Sequence, residues 1–216
     1  MKKIFFLNLM ISMILFSCQN DNKSTKSVEK PAKPVVQTPR SWVLNTDKSS
    51  IHWTGFKTTD KIPVKGEFKN FEIKNIQSSE NMPDAIKNAE VSINIFSIFS
   101  GNESRDKKLI EYLFQHMMET NKIDVKVTEI DTKNSVVKAK IRMNNHEMEV
   151  PLKMTVDEQK GQLSLDGKID LVKDFDAAEP LYFLHTACKD KHTGKDGISK
   201  TWPEVAIQAQ LKFDKK

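Results

Sequence analysis

The sequence predicts an all-β fold, an antiparallel barrel of about eight strands with one main α-helix, over residues 42–216. Two observations carry this expectation. Apolar residues alternate with polar ones at period two over most of the chain, the mark of strands with one buried face. A single stretch near the middle switches to three- and four-residue spacing, the mark of a helix. Strict inside/outside alternation suits a barrel, which leaves no open sheet edge to protect.

The elements follow in chain order. Ile51-His52-Trp53-Thr54 reads as a short strand, and Val64 to Ile76 as a long bent one carrying Gly66, Phe68, Phe71 and Ile73. Val91 to Ile95 reads as a third. Leu109, Ile110, Leu113, Phe114 and Met117 then form a helical stripe, with Asn102 or Ser104 placed to cap its first turn. Ile123, Val125 and Val127 return the chain to the sheet. Val137, Ala139, Ile141 and Met143 alternate with lysines and an arginine up to the polar turn Asn144-Asn145-His146. Met148, Val150, Leu152 and Met154 follow, then Leu163, Leu165, Gly167, Ile169 and Leu171, so three successive strands form a meander. Val205, Ile207, Ala209, Leu211 and Phe213 make the last strand. The segment from Val172 to Pro203 reads as a polar excursion. The length suits one domain and is short for two.

The N-terminus carries a different message. Met1-Lys2-Lys3 leads an apolar run from Ile4 to Phe16, too short to span a bilayer and suited to a cleavable signal. Leu15-Phe16-Ser17-Cys18 has the spacing of a lipobox, so residues 1–17 are expected to be a lipoprotein signal and Cys18 the acylated first residue. Residues 18–41 are rich in Asn, Lys, Ser, Thr and Pro, the composition of a disordered tether. Glu29-Lys30-Pro31-Ala32-Lys33-Pro34 favours an extended course. The expected location is the cell envelope, lipid-anchored, with the outer membrane facing the periplasm favoured because no Asp follows Cys18.

Charge and cysteines narrow the functions further. The net charge of +5 comes from interspersed signs rather than a basic stripe, which argues against a nucleic-acid partner. The chain has 2 cysteines, and lipid on Cys18 would leave Cys188 without an intrachain partner.

Three stretches, taken in order, resemble signatures of the YceI-like family. They are Ser50-Ile51-His52-Trp53, Val64-Lys65-Gly66-Glu67-Phe68-Lys69-Asn70-Phe71, and Ser97 to Leu109 with its Ser-Ile-x-x-Gly-Asn-x-x-Arg-Asp-x-x-Leu pattern. The resemblance covers roughly residues 42–214. It implies a lipocalin-like antiparallel barrel whose apolar interior holds a polyisoprenoid chain, and it implies no catalytic residues. The family's usual pair of phenylalanines on the helix stands here as Leu113-Phe114.

Alternation fits a filled core or a ligand cavity and by itself favours the filled core; the resemblance reverses that in favour of the cavity. Its expected lining is Trp53, Phe68, Phe71 and Ile93 from the first half, with Leu113 and Phe114 from the helix. Val125, Ile141, Met148, Val150 and Leu152 would continue the wall, and Leu165, Ile169 and Ile207 complete it. The expected ligand is a polyprenyl lipid or quinone, with no cofactor otherwise implied. Two rival readings stand beside this one. His185, Cys188 and His192 are imidazole and thiol groups within eight residues and would suit zinc or copper in a metal-handling protein. A structural or partner-binding lipoprotein with a filled core is the other.

Arg105-Asp106 invites a catalytic reading, but Asp106 near a helix start and Arg105 beside a loop carboxylate explain the pair structurally. Ser104-Arg105-Asp106-Lys107 matches Ser-x-x-Lys by spacing only, without the accompanying elements of penicillin-recognising enzymes. No glycine-rich nucleotide loop, catalytic triad motif or metalloprotease motif is present, so the chain reads as a binding protein and not an enzyme.

Overall fold

The computed structural model describes residues 41–119 and 121–216, and these form one compact unit. The expected signal, the acylated Cys18 and the tether lie outside the described residues.

Strand β1 (Trp42–Lys57) begins well before the short strand the sequence suggested. Its register against the last strand slips between Asn45 and Ser50, where polar residues loop out. There the Asn45 side chain donates to Asp214 at 2.6 Å, and the Ser49 hydroxyl donates to the Asn45 carbonyl at 2.8 Å. This bulge breaks the alternation and hides the first half of the strand. β2 (Ile62–Phe68) and β3 (Phe71–Lys74) are the expected long bent strand, interrupted for two residues at Lys69 and Asn70. A short helix α1 (Met82–Ala85) follows, capped by Asn81, and leads to β4 (Glu90–Asn94) and the two-residue β5 (Ile98–Phe99).

The expected central helix is present with a changing pitch. Asn102 is the cap of α2 (Glu103–Lys108), its side chain accepting from the Arg105 amide at 3.0 Å. A π-helical turn (Leu109–Leu113) and a 3-10 turn (Phe114–His116) continue it. Then come β6 (Lys122–Asp131), β7 (Val136–Met143), β8 (His146–Asp157) and β9 (Gln162–Asp170). The β7–β8 hairpin turns on Asn144 and Asn145, both at positive φ, as a tight two-residue turn requires.

The polar excursion before the last strand corrects the single-helix expectation. It contains α3 (Ala178–Ala187), the longest α-helix among the described residues, and a turn of helix α4 (Lys189–His192). Leu181, Leu184 and Cys188 give α3 a packed stripe at helical spacing, and Pro180 sits in its first turn, where its missing N–H costs nothing. β10 (Glu204–Lys215) closes the chain against β1.

All ten strands form one antiparallel sheet in the order β3-β4-β6-β7-β8-β9-β10-β1-β2-β5. The two ends of that order are joined by the chain itself: β2 pairs with β1, and β3, two residues later, pairs with β4. Taking β2 and β3 as one bent strand and β5 as an appendage gives the eight-stranded antiparallel, lipocalin-like barrel the sequence predicts. The core runs along its inside, with Val137, Leu163 and Ile95 among the fully buried side chains. Among the described residues no helix is long and apolar enough to cross a membrane.

Candidate functional site

The interior is not filled. A cavity of about 580 Å³ runs inside the barrel. Its wall is built from inward positions of successive strands. On β1 these are Ile51, Trp53, Gly55 and Lys57, and on β10 they are Val205, Ile207, Ala209 and Leu211. Several of these apolar side chains, including Ala209, Ile207 and Val125, keep some accessible surface although they lie mid-strand on the inward face. One end is closed by the buried side chains of Leu44, Ile86 and Leu211. At the other end the helices cross the opening. Leu109, Leu113 and Phe114 face in from the central helical stretch, and Leu181 and Leu184 from α3. Phe114 meets Phe68 edge-on at 6.4 Å, and His116 stacks on Phe183 at 4.1 Å, tying the two helical segments together.

Trp53 is set by a glycine opposite it. Gly66 is its β2 partner, and a Cβ there would lie 2.3 Å from the indole, so only glycine lets the ring lie across that strand. The indole is buried and its Nε1 has no hydrogen-bond partner among the described residues. Gly167 plays a similar part on β9, where Leu152 and Ile207 occupy the space a side chain would take.

Of the residues expected to line a pocket, the structure brings Trp53, Phe68, Ile93, Leu113, Phe114 and Val125 to the cavity. Ile141, Leu152, Leu165, Ile169 and Ile207 join them. Three do not line it. Phe71 packs against the core just past the β2–β3 interruption, and it is Ile73 that reaches the cavity. Met148 is 36% exposed, and Val150 is buried without lining the space. On β8 the wall stops at Leu152, and Val150 and Met148 lie two and four residues further toward the β7–β8 turn.

The His185, Cys188 and His192 cluster is not gathered around a point. Among the described residues no three His, Cys, Asp or Glu side chains are placed to hold a metal ion. Instead both histidines turn Nδ1 toward the Thr201 hydroxyl, His185 at 3.1 Å. The hydroxyl has one proton to give, so at least one ring donates to it. Burial, helped by Lys57, His185 and Lys108, pushes His192 down to about 4. Burial likewise raises the Cys188 thiol. Cys188 and His192 border the open end of the cavity; His185 stands behind them.

The Arg105-Asp106 pair also resolves structurally, with one correction. Asp106 is buried and accepts from the Ser100 amide at 3.0 Å and from its hydroxyl, which ties the loop before α2 to the helix. Arg105, expected beside a carboxylate, makes no ion pair among the described residues and borders the cavity instead. Lys107 pairs with Glu111, away from Ser104.

The site residues missed from the sequence are the polar ones at the open end: Lys57, Lys108, Lys191, Thr201 and Trp202. One signal was available. Lys57 continues the inward series Ile51, Trp53, Gly55, and a charge on an inward position marks the end of a barrel strand that reaches solvent.

Fold and cavity together define an antiparallel barrel with an apolar interior chamber, closed at one end and crossed by helices at the other. The YceI-like domain model matches residues 42–213, and the chain belongs to the YceI-like family. Among solved structures, a polyisoprenoid binding domain from Saccharophagus degradans, implicated in plant cell wall breakdown, is similar at a TM-score of 0.54 and 12% identity. That match covers 83% of this chain and 100% of that one. BcnA from Burkholderia cenocepacia matches at a TM-score of 0.49 and 15% identity, over 78% of this chain and 98% of that one. A Campylobacter jejuni YCEI protein matches at 0.46 and 19%, over 71% and 86%. No curated protein matches the chain.

Proposed function

We propose that the protein is a lipid-anchored binding protein of the cell envelope. In this reading it sequesters or carries a long apolar molecule, a polyprenyl lipid or a quinone, inside the barrel. The observation that carries the reading is the chamber of about 580 Å³ with its apolar wall. A well-packed domain leaves few voids larger than a water molecule, and this one lies within the range of small-molecule pockets. Each methylene buried there contributes roughly 0.8 kcal/mol before ordering costs, so a long chain is held without polar recognition along its length. The Saccharophagus degradans domain of the same fold is described as polyisoprenoid binding, which supports the same class of ligand here.

Anchoring rests on the charged start, apolar run and lipobox ending at Cys18, and the linker up to residue 41 supplies reach from the membrane surface. The proposed role is binding, with no chemical step.

Tryptophan emission tests the chamber, because Trp53 and Trp202 both border it. Titrating the purified, delipidated full chain with a long-chain polyprenol or quinone should give a saturable emission change with one ligand per chain. A featureless titration, with the protein folded by circular dichroism, would contradict the proposal.

A further inference from the structure

The open end of the cavity has a charge of one sign. Lys57, Arg105, Lys108 and Lys191 all border it, and among the described residues no Asp or Glu side chain does. Lys57, Arg105 and Lys108 are half-buried, while Lys191, Asn102 and Ser104 are exposed, so this end meets solvent. None of the four cations makes an ion pair among the described residues. On the strands several lysines do pair with a carboxylate: Lys138 with Glu129 at 2.6 Å, Lys140 with Glu147 at 2.9 Å, Lys126 with Glu90 at 3.0 Å. The carboxylates carried by the mouth's own helices do not border the cavity. Asp106 is turned to Ser100, Glu103 borders a separate outer groove with Phe99 and Lys107, and Asp190 is not among the cavity's lining residues.

Two of the cations are held in place. Lys108 Nζ donates to the carbonyl of Ala187 at the end of α3 at 2.8 Å, and Lys57 Nζ donates to the carbonyl of Lys191 in α4 at 3.2 Å. An ammonium has three protons, so each keeps donors for a further acceptor. Half-buried cations gathered without a counter-charge beside an apolar wall are costly, and an anion among them removes that cost.

We propose that the ligand is a single-chain anionic amphiphile, its apolar chain in the barrel and a carboxylate or phosphate head among Lys57, Arg105, Lys108 and Lys191. This rests on the chamber reading above and narrows its ligand class. The mouth sets the bound pose, with the chain inside the barrel and the head at solvent.

The test compares three probes with one chain length, hexadecanoate, hexadecyl phosphate and hexadecan-1-ol, on the delipidated full chain. Either anion should bind about tenfold or more tighter than the alcohol, as charge-assisted contacts imply. The ratio between the two anions tells which head the mouth prefers. Lys57→Met with Lys108→Met should bring the anions down to the alcohol's affinity, and Lys57→Arg should retain the preference. Binding of an anion should also raise the His192 titration seen by NMR, which hexadecan-1-ol should not do. Equal affinity for alcohol and anions overturns the anionic class while leaving the chamber reading standing. Failure of all three probes to bind overturns both. If the double variant does not fold, Lys191→Met and the loss of preference in about 1 M salt give the same decision.

Discussion

Ala209 lies at the middle of β10, between Ile51 of β1 and Leu165 of β9, and faces the cavity with some surface still accessible. Ala209→Phe therefore asks whether the interior is space or packing. The added phenyl ring needs room comparable to benzene, and a cavity of about 150 Å³ suffices for that molecule. The chamber measures about 580 Å³, so the ring should enter it with volume to spare. A filled core would resist: overpacking costs about 1–3 kcal/mol, which for a domain of this size lowers Tm by roughly 2–12 °C. The expected result is a Tm within about 2 °C of the parent and a loss of apolar ligand binding, read by differential scanning calorimetry and by tryptophan titration. A Tm drop at the upper end of that range with ligand binding retained would mean that the ring has no space and the ligand lies elsewhere, and the chamber would not be the binding site.

Gly66→Ala should push the Trp53 indole off its seat, since the new Cβ would fall 2.3 Å from the ring. Near-UV circular dichroism should change, with a destabilisation of about 1–3 kcal/mol by urea unfolding. Asn144→Ala should cost about 2–4 kcal/mol in the same assay. It removes a buried clip in which the side chain accepts from the Met118 amide and donates to the Phe175 carbonyl, each at 2.7 Å. His192 titrates near 4 in the fold against 6.5 when exposed, so the unfolded chain takes up the proton first. Its contribution to stability should be full above about pH 6.5, decline as pH falls toward 4, and level off below; His192→Gln should flatten that part of the profile. Cys18→Ser should release the protein from the membrane fraction or stall its precursor, and an unchanged N-terminal mass with unchanged membrane attachment would contradict the lipid anchor.

The parts of the fold legible in the sequence are those where one face is buried without interruption. β7, β8, β9 and β10 alternate cleanly, and the turn chemistry of Asn144 and Asn145 marks the hairpin between the first two. The central helix is legible from its stripe and from Asn102, although nothing in that spacing marks the π-helical turn at Leu109–Leu113. The first half of β1 is hidden because its bulge between Asn45 and Ser50 breaks period two. α3 carries only a weak signal, because its packed stripe is Leu181 and Leu184 with Cys188 just past its end, amid polar neighbours. Most of the cavity wall followed from alternation, but alternation gives the face and not the depth. Val150 shares a face with Leu152, two residues nearer the β7–β8 turn, and still misses the cavity. The basic mouth was illegible because Lys57, the Arg105 and Lys108 pair, and Lys191 come from three distant stretches and meet only where helical segments cross one end of the barrel.

The proposed binding role stands or falls on mass spectrometry of a solvent extract from the full chain purified from its native membrane without added lipid. That role predicts a co-extracted molecule with one long apolar chain, in roughly equal amount to the protein and depleted in Ala209→Phe. An extract free of any such molecule, from protein that also refuses apolar probes after delipidation, would contradict it.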